Sequence, residues 1–375
     1  MTAVVIIVIG TFLAALLIGS RRRANAAEWA RTGFDPAAYG LVPRGGLDPG
    51  RAGPPVPSER RERSQAVADA AWGGNWRAAV AHVEAAGEDW DERWDRLELL
   101  AEIARQDDAW LTAWRAADPD NCDAATLEAK LMVHRAWAIR GGGFAHEVAP
   151  ENMAEFRRLL PAAIDAARRA ALLAPENPGP WAVMITAARG AQYAKDQFRP
   201  LWKGLVQRAP HHYEGHWQAM QYWCAKWHGS DRAMMAFARR ALRKAPAGSP
   251  LAGLYLHALS ELVSRNGPRA FPATAITKDR LKAVTKALAT VPADDPRLPV
   301  LRHLLADFLG RAGMHRQAVE QFRLIGRWCG ADPWTDYRDP VAAFDLARGV
   351  AVKLSRTKPL PVTMEFVGDA LHHHG

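Results

Sequence analysis

The first twenty-three residues constrain this chain most. An unbroken apolar run from Ala3 to Gly19 is followed at once by Arg21, Arg22 and Arg23. Seventeen helical residues span roughly 25 Å, the short end of what crosses a bilayer core of about 30 Å. Arginines beside a membrane segment are retained on the cytoplasmic side. The sequence therefore predicts a transmembrane anchor over residues 1–20 of a single-pass cell-membrane protein, with the N-terminus outside and the body in the cytoplasm.

A cleaved signal peptide is the alternative interpretation of this run. Ala24-Asn25-Ala26 resembles the small-residue site at which such peptides are cut. A signal peptide, however, carries positive charge before its apolar region and none between that region and the cut. In this chain the three arginines stand after the run and nothing charged precedes it. The charge order favours an uncleaved anchor, with Arg21, Arg22 and Arg23 setting its topology.

The rest of the chain divides by composition. Residues 21–58 are rich in Gly and Pro, which predicts a flexible basic tether that buries little surface. Residues 59–356 carry helical periodicity and form the predicted α-helical repeat domain. Residues 357–375 contain Pro359 and Pro361 and are predicted to be a C-terminal tail. Alternation typical of strands is not convincing in any segment, so the predicted fold class is all-α.

A repeat is visible within the helical domain. Ala-Pro pairs end helical runs at Pro175, Pro210 and Pro246, which are 35 and 36 residues apart, and Trp181 and Trp217 follow the first two pairs at similar offsets. A period near 34 residues built from paired helices indicates an α-solenoid, in which each pair buries its apolar face against its neighbours.

The residues of the repeat resemble the tetratricopeptide family in a degenerate form. The best match is Leu305-Ala306-x2-Leu309, then Gly313, then Ala318-x3-Phe322. A second, weaker match pairs Trp217-x2-Met220 with Ala233-x3-Phe237. The resemblance implies a tetratricopeptide-like α-solenoid of helix pairs behind the single transmembrane helix. It further implies a protein or peptide partner held in a groove.

The segment from His211 to Ser230 is the densest in side chains that carry chemistry. His212 and His216 have the i, i+4 spacing that grips a metal ion, and Cys224 and His228 repeat it. On one continuous helix, however, His216 and Cys224 are about 12 Å apart along the axis, so the four cannot share one ion. A metal-binding module or metal-dependent enzyme centred on His212 and His216 is therefore an alternative function, and we expect no metal site.

Aromatic side chains in the same segment suggest a recognition groove. Partner binding is assigned to six residues: His212, His216, Tyr222, Trp223, Lys226 and Trp227. The structural alternative is that these side chains belong to the cores of the helix pairs.

Charge is distributed unevenly over a chain with a net charge of +9. Acidic residues dominate positions 64–121, and basic residues dominate positions 195–288. The basic half is suited to anionic lipid at the inner leaflet, or to an acidic partner. Nucleic-acid binding by this half is the lowest alternative and is not expected, because the acidic half repels phosphate and no base-reading motif is present.

No catalytic or cofactor motif accompanies these features. The sequence has no G-x-S-x-G turn, no phosphate-binding Gly-rich loop followed by Lys, and no EF-hand loop. Its three cysteines are far apart and form no C-x-x-C pair. We therefore predict a membrane-tethered protein–protein interaction scaffold, not an enzyme, with no cofactor.

Overall fold

The structure, a computed structural model, describes residues 20–142, 147–227 and 229–360, and over these residues the fold is all-α as predicted. Residues 20–32 form helix α1. The remaining helices are α2 Ser58–Trp72, α3 Trp76–Glu84, α4 Trp90–Gln106, α5 Ala109–Ala117, α6 Cys122–Arg140, α7 Pro150–Leu173, α8 Gly179–Gly190, α9 Lys195–Arg208, α10 Tyr213–Tyr222, α11 Asp231–Lys244, α12 Leu254–Asn266, α13 Ala275–Leu288, α14 Leu298–Arg311, α15 His315–Ile325 and α16 Pro340–Ser355. Short 3₁₀ turns lie at Ala37–Tyr39, Arg44–Gly46, Pro250–Gly253, Pro268–Ala270 and Trp334–Asp336. The only extended pairing among the described residues is an isolated bridge between Asp48 and Trp328.

The chain divides into two compact units. Unit 1 takes in the described residues of Met1–Pro54 and Pro299–Gly375 together with Pro272–Leu281. Unit 2 consists of Pro55–Phe271 and Lys282–Leu298. This division differs from the single helical domain expected over residues 59–356, because the segment expected to be a tether contributes to unit 1.

Helices of unit 2 pack both on their neighbours in sequence and on the next helix but one. Along the series α4, α6, α8, α10 and α12, each helix contacts the following one, while α7 contacts both α6 and α8. The predicted helix ends are confirmed, since Pro175, Pro210 and Pro246 lie two residues after α7, α9 and α11. The sequence period of 35 and 36 residues therefore matches the pairs α8–α9 and α10–α11.

The segment that best resembles the repeat pattern forms two consecutive helices of unit 1, α14 and α15. Leu305 and Leu309 on α14 are fully buried, and Ala318 and Phe322 on α15 are at most 2% exposed. Gly313, in the turn between these helices, has a φ of +74°, a conformation that a side chain disfavours. The predicted apolar register thus holds for this pair.

Residues 21–58 are more structured than the expected tether. Helix α1 buries Ala26 and Ala30, and Leu41 is 4% exposed. The carbonyl of Ala52 lies 2.8 Å from Nε2 of His303, whose Nδ1 accepts a hydrogen bond from Nε1 of Trp334 at 2.9 Å. Proline and glycine limit how much side-chain surface such a segment buries, but its backbone carbonyls and few apolar residues still pack into unit 1.

The predicted anchor and most of the predicted tail lie outside the described residues. Of residues 1–20 the structure describes Ser20 alone, and of residues 357–375 it describes 357–360. Within the part of the chain that the structure covers, no helix combines the length and apolar character that crossing a membrane requires.

Candidate functional site

His212, the first predicted partner-binding residue, begins helix α10 as its N-cap. Its Nδ1 accepts a hydrogen bond from the Gly215 amide at 3.1 Å, and its ring meets Trp94 edge-on with centroids 5.5 Å apart. Burial lowers the pKa of His212 to about 3, so the ring is neutral at physiological pH. Since Nδ1 accepts, the proton resides on Nε2, which has no hydrogen-bond partner in the described chain.

His216 lies one turn further along α10 and is also buried. Its Nδ1 is 2.9 Å from the His212 carbonyl oxygen, and its ring meets Trp202 edge-on at 4.8 Å. Burial lowers the pKa of His216 to about 4. No group of three or more His, Cys, Asp or Glu side chains within residues 20–142, 147–227 and 229–360 is placed to hold a metal ion.

Tyr222 and Trp223 pack against helix α9. The Tyr222 ring stacks on Phe198 with centroids 3.6 Å apart, and its hydroxyl donates to the Tyr193 carbonyl at 2.9 Å. Burial raises the pKa of Tyr222. The half-buried ring of Trp223 meets that of Tyr222 edge-on at 5.2 Å. Both side chains therefore fill space between helices, in agreement with the core alternative.

Lys226 and Trp227 lie in the turn after α10 and diverge in their contacts. Lys226 is exposed and its Nζ pairs with Glu261 of α12 at 2.8 Å. Trp227 is half-buried and reaches Trp137 of α6, with ring centroids 5.7 Å apart. The structure thus brings His212 together with His216, and Tyr222 together with Trp223, but it does not gather the six predicted residues on one surface.

A different set of side chains forms a continuous feature across alternate helices of unit 2. Helices α4, α6, α8 and α10 carry half-buried or buried polar and aromatic residues that lie within contact or electrostatic range of one another. We call this set the polar row and define it as Trp94 and Glu98 of α4, Lys130, His134 and Trp137 of α6, Arg189 of α8, and Glu214 and Gln218 of α10.

Lys130 occupies the middle of the polar row. Its side chain is 5% exposed, pairs with Glu98, and places Nζ 4.0 Å from the centroid of the Trp94 ring. Burial, and then the positive charge of Lys130, lowers the pKa of His134 to about 4. The row therefore holds a charged lysine between a carboxylate and an indole face, next to a neutral imidazole whose Nδ1 has no hydrogen-bond partner in the described residues.

One end of the polar row is fixed by a residue distant in sequence. Arg297 forms a two-pronged ion pair with Asp95, with nitrogen–oxygen distances of 3.0 and 2.5 Å. Its guanidinium also lies 4.9 Å from the centroid of the Tyr213 ring. Asp91 accepts a hydrogen bond from the Tyr213 amide at 2.8 Å, and burial raises the pKa of Asp91. These contacts hold α4 against the start of α10.

Arg189 occupies the other end of the polar row. Its guanidinium carbon is 4.8 Å from the Trp137 ring centroid and 5.2 Å from that of Trp227. It has no hydrogen bond or ion pair within the part of the chain that the structure describes; burial lowers the pKa of Arg189 to about 10, and the negative charge of Glu214 opposes that shift. It remains a cation at neutral pH, held between two indole faces.

Three unused donors lie around Arg189, and the indole N–H groups of Trp94, Trp110, Trp114 and Trp181 elsewhere in the described chain are also buried without a partner. The buried Nε of Arg189 and the buried Nε1 atoms of Trp137 and Trp227 have no hydrogen-bond acceptor among the described residues. Burying a polar group without a partner costs about 1–3 kcal/mol, so native proteins seldom leave several together. Because these atoms are closed to solvent, an acceptor such as a peptide carbonyl or carboxylate reaches them only when the side chains around Arg189 move.

Sequence reasoning missed most of the polar row because its members are dispersed. Arg189 and Trp137 lie on different helices, and neither belongs to a dense motif. One signal was present: Lys130, His134 and Trp137 follow i, i+4, i+7 spacing, which places a polar and aromatic stripe on one helix face.

Comparisons of this chain with models of known protein families, with curated proteins and with solved structures find no match.

Proposed function

We propose that this protein is a membrane-tethered interaction scaffold whose unit 2 binds a protein or peptide along the polar row. In this proposal residues 1–20 anchor the chain, Arg21, Arg22 and Arg23 keep the body in the cytoplasm, and the helices of unit 2 form a tetratricopeptide-like stack of pairs. No catalytic step is part of the proposal.

One observation supports the binding role most directly. Arg189 on α8, Trp137 on α6 and Trp227 in the turn after α10 place a desolvated cation and unused N–H donors together. Arginine and tryptophan in well-packed, partly desolvated positions are the side chains that most often dominate binding energies at interfaces. A peptide that supplies carbonyl or carboxylate acceptors would satisfy these donors once the side chains around Arg189 shift to admit it, because the three nitrogen atoms are closed to solvent.

The repeat architecture is supported by the helix packing of unit 2. Each even-numbered helix from α4 to α12 contacts the next, and the sequence period matches two successive helix pairs. Such stacks bury one face of each pair and leave a second face available to partners. The polar row lies on the even-numbered helices, as expected if these helices supply the binding face.

Site-specific photo-crosslinking in intact cells tests the proposal. A photoreactive amino acid replaces His134 or Gln218 in the full chain, and matched control positions are Arg157 and Arg240, which are exposed on α7 and α11. We expect discrete adducts of the same partner from both row positions and none from the controls. Equal labelling from all four positions, or no adduct from either row position, would contradict binding along the row.

A second measurement tests the contribution of Arg189 to partner binding. Arg189→Gln in the crosslinking-competent chain should lower adduct yield by about tenfold, the effect of losing a well-packed interface arginine. Arg240→Gln should leave the yield unchanged. Circular dichroism of both purified variants checks that the helical content is retained.

A further inference from the structure

A basic cleft in unit 1 lies apart from everything assigned so far. It has a volume of about 460 Å³ and lies between α15 and the chain that leaves α16. Its lining is Arg316, Val319, Glu320, Arg323, Ser355, Arg356, Thr357 and Lys358.

Two segments build the cleft. Arg316, Glu320 and Arg323 recur at i, i+4 and i+7 and so project from one face of α15. On the other side α16 ends at Ser355, and Arg356 adopts a left-handed backbone conformation with φ +54° that stops the helix. The Ser355 hydroxyl donates to the Val352 carbonyl at 2.8 Å, so the Thr357 hydroxyl, 2.6 Å away, donates to Ser355. Both hydroxyl protons are thus used within the segment, and cations from both segments surround one space.

The positive charge of the cleft is poorly neutralised. Glu320 is its one carboxylate, and its 3.9 Å pair with Arg316 joins two exposed side chains, a geometry that contributes little. Neither Arg356 nor Lys358 has an ion-pair partner among the described residues. The dipole of α16 favours cations at its C-terminus but does not account for Arg316, which lies in the first turn of α15.

The packing of α1 shows which end of unit 1 carries the cleft. Near the end of α16, Nζ of Lys353 lies 4.8 Å from the centroid of the Trp29 ring. Nearer the start of α16, a Cβ added at Gly349 would lie 2.7 Å from the Cβ of Ala30. One residue earlier still, Arg348 lies over Phe34. Helix α1 therefore runs antiparallel to α16, and its N-terminal end points toward the end of α16 that lines the cleft.

The electrostatics of α15 agree with this placement. The pKa of His315, which precedes Arg316, is lowered first by burial and then by the positive charges of Arg23 and Lys278. Arg23 is therefore close to the start of α15. The arginines that follow the predicted anchor and the cations of the cleft lie at the same end of unit 1.

We propose that this cleft binds the phosphate headgroup of an anionic phospholipid in the leaflet that receives the anchor. Guanidinium groups and an ammonium are donors that recognise phosphate oxygens, and basic residues next to a membrane segment attract anionic lipid. The cleft uses none of the basic residues at positions 195–288. The inference rests on the membrane anchor of the proposed function, because the anchor supplies the lipid at this end.

Native mass spectrometry of the full chain in a neutral detergent tests the proposal. Phosphatidylglycerol and phosphatidylcholine are added separately and the bound lipids counted. The test variant is the double substitution Arg316→Gln with Arg356→Gln, and the matched control is Arg51→Gln with Arg338→Gln, two exposed arginines of unit 1 outside the cleft. We expect phosphatidylglycerol to bind more tightly than phosphatidylcholine, and the cleft variant to lose about tenfold in that affinity. The control variant should keep the affinity of the unmodified chain for phosphatidylglycerol.

Three results would overturn the proposal: undiminished phosphatidylglycerol binding by the cleft variant, equal loss in the control, or equal binding of phosphatidylcholine. Inorganic phosphate is titrated separately, and if it binds the cleft as tightly as the lipid does, the assignment to a lipid is wrong. Flotation with neutral phosphatidylcholine vesicles examines the anchor alone. A chain that floats but shows no preference for phosphatidylglycerol overturns the cleft assignment, whereas a chain that does not float overturns the anchor.

Discussion

Arg297 and Asp95, 202 positions apart in sequence, form a two-pronged ion pair in which both side chains are less than one-fifth exposed. Burial raises the pKa of Asp95 even though Arg297 opposes the shift. Burial likewise disfavours charge on Arg297, but the Asp95 carboxylate outweighs it and raises the pKa of Arg297. The pair joins the segment before α14 to α4, so unit 2 depends on residues on both sides of its break in sequence.

Removing one member of this pair should therefore destabilise unit 2. Arg297→Gln leaves Asp95 buried without its counter-ion, which costs about 3–5 kcal/mol in comparable pairs. The free energy of unfolding is measured by denaturant titration of the full chain. The matched control is Arg60→Gln, which breaks the more exposed pair with Glu92 and should cost under about 1 kcal/mol. Similar losses in both variants would show that the Arg297 contact has no special role.

His303 should make unit 1 sensitive to acid. Burial lowers the pKa of His303 from 6.5 to about 4, so between these pH values the unfolded chain binds a proton that the folded chain excludes. The contribution of neutral His303 to the free energy of unfolding is therefore fully present above pH 6.5. It falls by up to about 3 kcal/mol as the pH drops toward 4. A proton on Nδ1 of His303 would also remove the hydrogen bond from Nε1–H of Trp334, because both nitrogen atoms would then be donors.

Hydrogen exchange of α14 and of the Trp334–Asp336 turn, followed across this pH range, measures the effect. His303→Gln should lower protection at neutral pH and flatten its dependence on pH. An unchanged pH profile in that variant would assign the acid sensitivity to other groups.

Phe322 should be a core residue whose loss is costly. It is 2% exposed and packs against Trp334 and Phe344, with ring centroids 6.0 and 5.2 Å away. Phe322→Ala should lower the free energy of unfolding by about 3–5 kcal/mol. Leu324→Ala on the same helix is the matched control, because Leu324 is 56% exposed and should cost little. A loss under about 1 kcal/mol for Phe322→Ala would place the ring outside a core and contradict the predicted register of this segment.

Gly204 and Gly310 should respond to alanine with opposite signs. A Cβ at Gly204 on α9 would lie 2.1 Å from the Trp181 ring, so Gly204→Ala should destabilise by about 1–3 kcal/mol through overpacking. A Cβ at Gly310 on α14 meets nothing within 4 Å, and Gly310→Ala should stabilise by about 0.4–1 kcal/mol. Melting temperatures of the two variants test both signs, and a neutral Gly204→Ala would mean that Trp181 moves freely.

The three arginines after the apolar run should fix membrane topology. Replacing Arg21, Arg22 and Arg23 with Gln removes the charges retained on the cytoplasmic side, so we expect mixed or inverted insertion. Reporter fusions to the C-terminal end measure orientation. The control replaces Arg60, Arg61 and Arg63, which lie beyond the roughly 15–20 residues over which such charges act. If the control alters topology as much as the test variant does, the closeness of Arg21, Arg22 and Arg23 to the apolar run does not determine orientation.

The local parts of this fold were predictable from sequence. Pro175, Pro210 and Pro246 end helices because proline lacks the amide and the space to continue one, so helix boundaries and the period follow from single residues. Buried positions such as Leu305 and Phe322 follow from spacing, because helical periodicity selects one face.

Contacts between distant residues were not predictable in the same way. Nothing near Asp95 indicates that its partner is Arg297, and nothing in a proline-rich stretch indicates that the Ala52 carbonyl meets His303. Prediction of the candidate site was limited for the same reason, because it also depends on contacts between distant residues. The density of His and Trp after His211 identified residues worth inspecting, but which face of α10 is covered depends on α4 and α9, whose positions no local pattern specifies.

The packing of residues 20–54 into unit 1 determines how this protein should be truncated for study. A fragment starting at residue 59 omits the carbonyl that meets His303, the partner of the Cys329 amide at Asp48, and the helix that covers α16. Such a fragment would expose apolar surface and aggregate, which would look like an intrinsic failure of the body to stay in solution. Expression trials should instead cut immediately before residue 20.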